Sequence, residues 1–197
     1  MSTGSMNRTI AAEAARLVVD SGLEYGQAKA KAARALGARR GEWPSNEAVE
    51  DEVREHLALF CSDTQPAELR ALRELAARWM ERLEAFRPHL GGAVWRGTAT
   101  RHSSVHIDLY CDDPKSAPIA LLNLGVPHAF GDAGGEDGLP VMTITEPCAA
   151  LAETVTLHLI VRDTDDLRGA LRPDSRGRSW RGDLAALRQR MMEDGCR

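Results

Sequence analysis

His106 and Asp108, two residues apart on an alternating apolar run, are the strongest chemical signal in this chain. Val105, Ile107, Leu109 and Cys111 alternate with His106, Asp108 and Tyr110, so a strand here presents the imidazole and the carboxylate on one face. Upstream stands Arg96-Gly97-Thr98, followed by Arg101 and His102 in a polar stretch. A glycine lets backbone approach a phosphate, a hydroxyl or N–H can bind a phosphate oxygen, and Arg96 and Arg101 would neutralise its charge. Asp108 can hold a divalent cation. His106, with an ordinary pKa near ~6.5, suits a general base or a metal ligand.

A second alternating run, 154–161, sets Thr156, His158 and Ile160 on one face. With the two strands neighbouring in register, His106, Asp108 and His158 form a two-histidine, one-carboxylate cluster, and His102 is a candidate fourth ligand. Such a donor set suits a transition metal better than Mg²⁺, which prefers oxygen. The same histidines also suit a polar sheet surface. Asp112 and Asp113 are candidate extra acids, although their position after a strand and before a helix also fits capping.

The elements that position these residues follow from periodicity. Ile10, Ala14, Leu17 and Val18 predict a helix over 8–20, stopped near Gly22. A second helix spans 25–36, with Lys29, Lys31 and Arg34 among alanines and Gly37 at its end. Ser45 is placed to cap a third, whose stripe is Val49, Val53, Leu57 and Phe60. A fourth carries Leu69, Leu72, Ala76, Trp79, Leu83 and Phe86, and Pro88 and Gly91-Gly92 end it. Short strands follow at 93–96 and 105–111. A helix runs from Asp113-Pro114, or from Ser116, to Asn123. Strands near 127–130 and 141–146 flank a glycine-rich turn at 131–138, and a final helix covers 183–192.

This layout resembles the polymerase-β-type nucleotidyltransferase superfamily over residues 90–161. In that superfamily a strand ends in a small pair such as Gly-Ser. A loop follows, then a strand bearing two alternate acids, and a later strand supplies a third. Gly97-Thr98 matches the small pair and His106-Ile107-Asp108 the acidic strand, with histidine in place of the first acid. The third acid is replaced on the matching face of 154–161, where Glu153 and Asp163 flank as substitutes. The resemblance implies binding of a nucleoside triphosphate with Mg²⁺. Asp108 would be the surviving ligand, and Arg96, Gly97, Thr98 and Arg101 would face phosphate. The missing acids imply reduced or lost transfer of a nucleotide, as in a pseudoenzyme.

Most of the chain is also similar to a group of uncharacterised bacterial proteins with a helical N-terminus. The likeness is carried by Tyr25-Gly-Gln-Ala-Lys-Ala-Lys-Ala-Ala33, Pro44-Ser-Asn-Glu47, Arg96-Gly-Thr-Ala-Thr100 and Leu121-Leu-Asn-Leu-Gly-Val-Pro127.

The expected fold is α+β, a helical N-terminal half packed on a small mixed β-sheet of nucleotidyltransferase type. The expected division is a tail over 1–6, a helical region over 7–90 and an α+β domain over 91–197. The 197 residues carry a net charge of −4, which argues against a wholly basic nucleic-acid surface. Trp180 among Arg168, Arg172, Arg176, Arg178 and Arg181 suits single-stranded nucleic acid. Asp163, Asp165, Asp166, Asp174 and Asp183 offset that charge and suit a salt-bridged surface. Lys29, Lys31 and Arg34 make the second helix basic, with Arg39 and Arg40 beyond its end. Gln27 alone suits base reading there, so a helical annex fits better than a helix-turn-helix.

Cys61, Cys111, Cys148 and Cys196 are scattered without a C-x-x-C pair, as expected of reduced thiols in a cytoplasmic protein. No run approaches the ~20 apolar residues of a membrane span. A non-catalytic module that binds a protein or nucleic-acid partner is the alternative to nucleotide chemistry, and a transition-metal-binding protein is a third.

Overall fold

The computed structural model describes residues 3–38, 43–132, 140–174 and 176–195. The chain is α+β, with eight helices and five strands among the described residues. By contact it divides into two compact units. One is Met1–Leu69 with Thr98–Ser103; the other is Arg70–Gly97 with Ser104–Arg197.

The first unit is built on α1 (Thr3–Ser21), α2 (Tyr25–Ala35) and α3 (Asn46–Phe60). Ile10, Ala14, Val18, Ala28, Ala32, Val49 and Val53 are buried together in its core. The alanines let the backbones of α1 and α2 approach closely. Helix α1 starts at Thr3, five residues before the expected Arg8, despite the low helix propensity of Gly4 and its neighbours. Gly22 turns the chain at φ +63°, and a Cβ there would lie 1.9 Å from the carbonyl oxygen of His102. Ser45 caps α3, its hydroxyl accepting from the Ala48 N–H at 3.1 Å. Arg39 and Arg40 lie outside the described residues.

Helix α4 (Gln65–Arg82) begins in the first unit and continues into the second. Leu72, Leu75, Ala76, Trp79, Met80 and Leu83 are buried there. The helix ends at Arg82, short of Phe86, and a 3-10 turn covers Glu84–Phe86.

Five strands form one mixed sheet in the order β1-β2-β5-β4-β3: β1 (His89–Gly91), β2 (Val105–Tyr110), β3 (Ala129–Asp132), β4 (Pro140–Cys148) and β5 (Glu153–Arg162). Strands β2 and β5 are parallel, and the other pairs are antiparallel. Val105, Ile107, Leu109, Leu157 and Leu159 are buried on the apolar face. Residues 133–138 of the expected glycine-rich turn lie outside the described residues.

The expected strand at 93–96 is a helix instead. Helix α5 (Gly92–Arg96) occupies it, and the strand sits upstream as β1. Gly92 and Gly97, both at positive φ, begin and end this single turn, so the glycine pair read as a helix stop also starts one. Helix α6 (Ser116–Asn123) opens after a turn in which the Asp113 carboxylate accepts from the Lys115 N–H at 3.0 Å. Helices α7 (Leu167–Ala170) and α8 (Leu184–Gly195) complete the second unit.

Candidate functional site

Strands β2 and β5 lie side by side, with His106 opposite His158 and Asp108 opposite Ile160. The two imidazoles pack at a centroid distance of 5.0 Å, tilted by 45°. His158 Nδ1 shares a hydrogen bond with Thr143 Oγ1 of β4 at 3.2 Å. Gly91 of β1 faces His106 from the other side.

Asp108 takes a different set of neighbours. Arg162 Nε donates to Oδ1 at 2.8 Å, and Arg181 Nη1 lies 2.5 Å from Oδ2. The same Arg181 nitrogen donates to the Tyr110 hydroxyl at 3.1 Å. The carboxylate is 6% exposed, whereas the two arginine side chains keep 20% and 24%. Burial pushes the Tyr110 hydroxyl above its usual pKa, opposed by the hydrogen bond from Arg181. The buried His89 stands opposite Asp108, its ring edge-on to Tyr110 at 5.3 Å.

Among the described residues, no group of three or more His, Cys, Asp or Glu side chains is placed to hold a metal ion. The structure brings His106 and His158 together, while both oxygens of Asp108 are turned to guanidiniums. A Mg²⁺ ion needs oxygen ligands, and the one carboxylate of this strand face already accepts from two cations, so the residues present do not fit it. His102 belongs to the first unit.

The small pair and its arginines are also engaged within the chain. Gly97 is the left-handed C-cap of α5, at φ +81°. Thr98 is buried, with its hydroxyl 3.4 Å from that of Tyr25. Thr100 Oγ1 donates to the Val19 carbonyl at 3.2 Å, and Gln65 Nε2 donates to the Ala99 carbonyl at 2.9 Å. The Arg101 N–H donates to Glu68 at 3.0 Å. Arg96 is buried, donates to Asp174 at 3.3 Å and stacks its guanidinium 3.9 Å over the Trp180 ring. The backbone N–H of Arg178 holds the Asp174 carboxyl below its usual pKa. Arg178 and Arg181 of the basic stretch thus meet Asp174 and Asp108, and one face of Trp180 is covered by Arg96.

Arg162 was legible in principle, because it continues the alternation of His158 and Ile160 by one step. Arg181 was visible only as one of several basic residues, and no spacing rule links it to Asp108 across 73 positions.

No family model and no curated protein matches the chain. Its fold has likeness to solved structures of the Cid1 poly(U) polymerase. With MgGTP bound, that structure aligns at a TM-score of 0.36 and 11% identity, covering 57% of this chain and 38% of the other. With the UTP analogue UMPNPP, the TM-score is 0.36, with 11% identity and 57% and 36% covered. A mutant bound to MgATP gives 0.37, with 11% identity and 57% and 38% covered. The match spans well under two thirds of those proteins' length. TM-scores of this size leave the chain's own residues to decide its chemistry.

Proposed function

We propose that the chain is a divergent nucleotidyltransferase-like protein in which transfer of a nucleotide is lost. The observation that carries this reading is the double ion pair at Asp108. A metal-assisted transfer needs carboxylate lone pairs directed at the cation. Here a metal ion would have to displace two guanidiniums from a buried carboxylate, in charge-assisted contacts about twice as strong as neutral ones. Histidine replaces the first acid of the strand, and that substitution supports the same conclusion from the sequence side. The scaffold reading rests on the resemblance of Gly97-Thr98 and His106-Ile107-Asp108 to the superfamily pattern.

Labelled ATP, GTP, CTP and UTP, each with Mg²⁺ or Mn²⁺, test this against the wild type and Asp108→Asn. The expected result is no incorporation into protein, RNA or small acceptors above the Asp108→Asn level. Metal-dependent incorporation abolished by Asp108→Asn would overturn the reading. Thermal melts with the same nucleotides separate two forms of it, since a ligand stabilises the fold that binds it. Stabilisation without turnover identifies a nucleotide-binding pseudoenzyme. Its absence leaves a non-catalytic module for a macromolecular partner.

A further inference from the structure

The two arginines on Asp108 have different origins. Arg162 belongs to β5, the strand beside it, whereas Arg181 arrives on a segment, 176–182, that lies outside the five strands and folds back on β1 and α5. Leu90 and Gly182 exchange backbone hydrogen bonds at 2.8 and 3.0 Å. Trp95 Nε1 donates to the Ser179 carbonyl at 2.9 Å. Arg96 pairs with Asp174, and both side chains are almost wholly buried. The backbone N–H groups of Arg176 and Arg178 donate to the same Asp174 oxygen, each at 2.9 Å. Gly182 lies flat on the Trp95 ring, where a Cβ would come within 2.1 Å of the ring carbons.

We infer that segment 176–182 is an intramolecular cover that seats the Arg181 guanidinium on the Asp108 carboxylate, in the role of the cation that this strand position would otherwise take up. The inference rests on the reading of Asp108 given above. A buried carboxylate needs a compensating cation. A tethered guanidinium meets it at high effective concentration, so a free metal ion competes poorly. The seat is specific: three anchors on β1 and α5 fix the backbone, and Arg181 is next to the anchored Gly182. Arg162 Nε meets Oδ1 and Arg181 Nη1 meets Oδ2, so the cover supplies the cation at the second oxygen.

Two variants test the cover, with Mn²⁺ as the probe and trypsin cleavage after Arg176 and Arg178 as a second readout. Arg181→Gln keeps the stem and removes the charge; it is expected to bind Mn²⁺ at least ten-fold more tightly than the wild type, and adding Asp108→Asn should cancel the gain. Gly182→Ala cannot seat against Trp95, and is expected to be cleaved at least five-fold faster and to show the same Mn²⁺ gain. Circular dichroism melts establish that each variant folds; should Arg181→Gln fail to fold, Gly182→Ala decides through both readouts. A folded Arg181→Gln with wild-type Mn²⁺ affinity, or a Gly182→Ala cleaved at the wild-type rate, overturns the cover and leaves the loss of transfer standing. Nucleotide incorporation by the wild type overturns the loss of transfer and leaves the cover to the Mn²⁺ and trypsin results.

Discussion

Asp108 illustrates how burial changes the role of a side chain. On an open strand face it would be a metal ligand or a base. Between Arg162 and Arg181 it is the centre of a charge network that also includes Tyr110. Removing one partner of a wholly buried ion pair costs ~3–5 kcal/mol. The arginines here keep a fifth to a quarter of their side-chain surface, so Asp108→Ala should cost about 2 kcal/mol. Urea midpoints at unchanged slope would measure it. Tyr110 gives a second test. Its folded pKa lies above the unfolded value of about 10, so the folded state holds its proton longer. The stability is fully present below about pH 10 and falls as pH rises further. Tyr110→Phe should lose that alkaline decline, which melts between pH 8 and 11 would reveal. Of these residues, His106, Asp108 and His158 were legible from alternation alone, because side chains two apart on a strand share a face whatever surrounds them.

Among the elements, the helices of the first unit were the most legible. Their apolar stripes, with Ser45 as a cap and Gly22 as a stop, are local signals that tertiary contacts reinforce, except at Phe60, the last stripe residue of α3, which is 72% exposed where the helix ends. Ser45→Ala should lower stability by about 1 kcal/mol, since it strands the Ala48 N–H at the start of α3. Gly22→Ala should cost about 3 kcal/mol, from the positive φ and the overlap with the His102 carbonyl together. Denaturant titrations of the two variants would rank them. Helix α5 was not legible. Val94 and Trp95 read as strand residues, and a five-residue helix has too few turns to show a period. What holds it is long-range. Arg73 donates to the Val94 carbonyl at 3.1 Å, Arg190 donates to the Trp95 carbonyl at 2.8 Å and stacks on the Trp95 ring, and the Ser179 carbonyl and Asp174 carboxylate hold Trp95 and Arg96.

For the whole molecule, the informative finding is that Thr98–Ser103 belongs with the first sixty-nine residues. Thr98, Thr100 and Ser103 are buried hydroxyl residues, and two of them bond to Tyr25 and Val19. A fragment ending at residue 90 would lack them. It should lose cooperativity or melt at least ten degrees below one that runs through residue 103, a comparison that circular dichroism of the two fragments can make. No helix among the described residues is long and apolar enough to cross a membrane, as the hydropathy of the sequence indicates. The sequence by itself determined the α+β class, most element positions and the shared face of His106 and Asp108, because periodicity and glycine placement act over a few residues. Tertiary structure alone decided that Asp108 meets two arginines, that Thr98 is buried and that α5 is a helix. Each depends on partners tens of residues away, and the free energy of a buried charge or hydroxyl is set by those partners rather than by its neighbours in sequence.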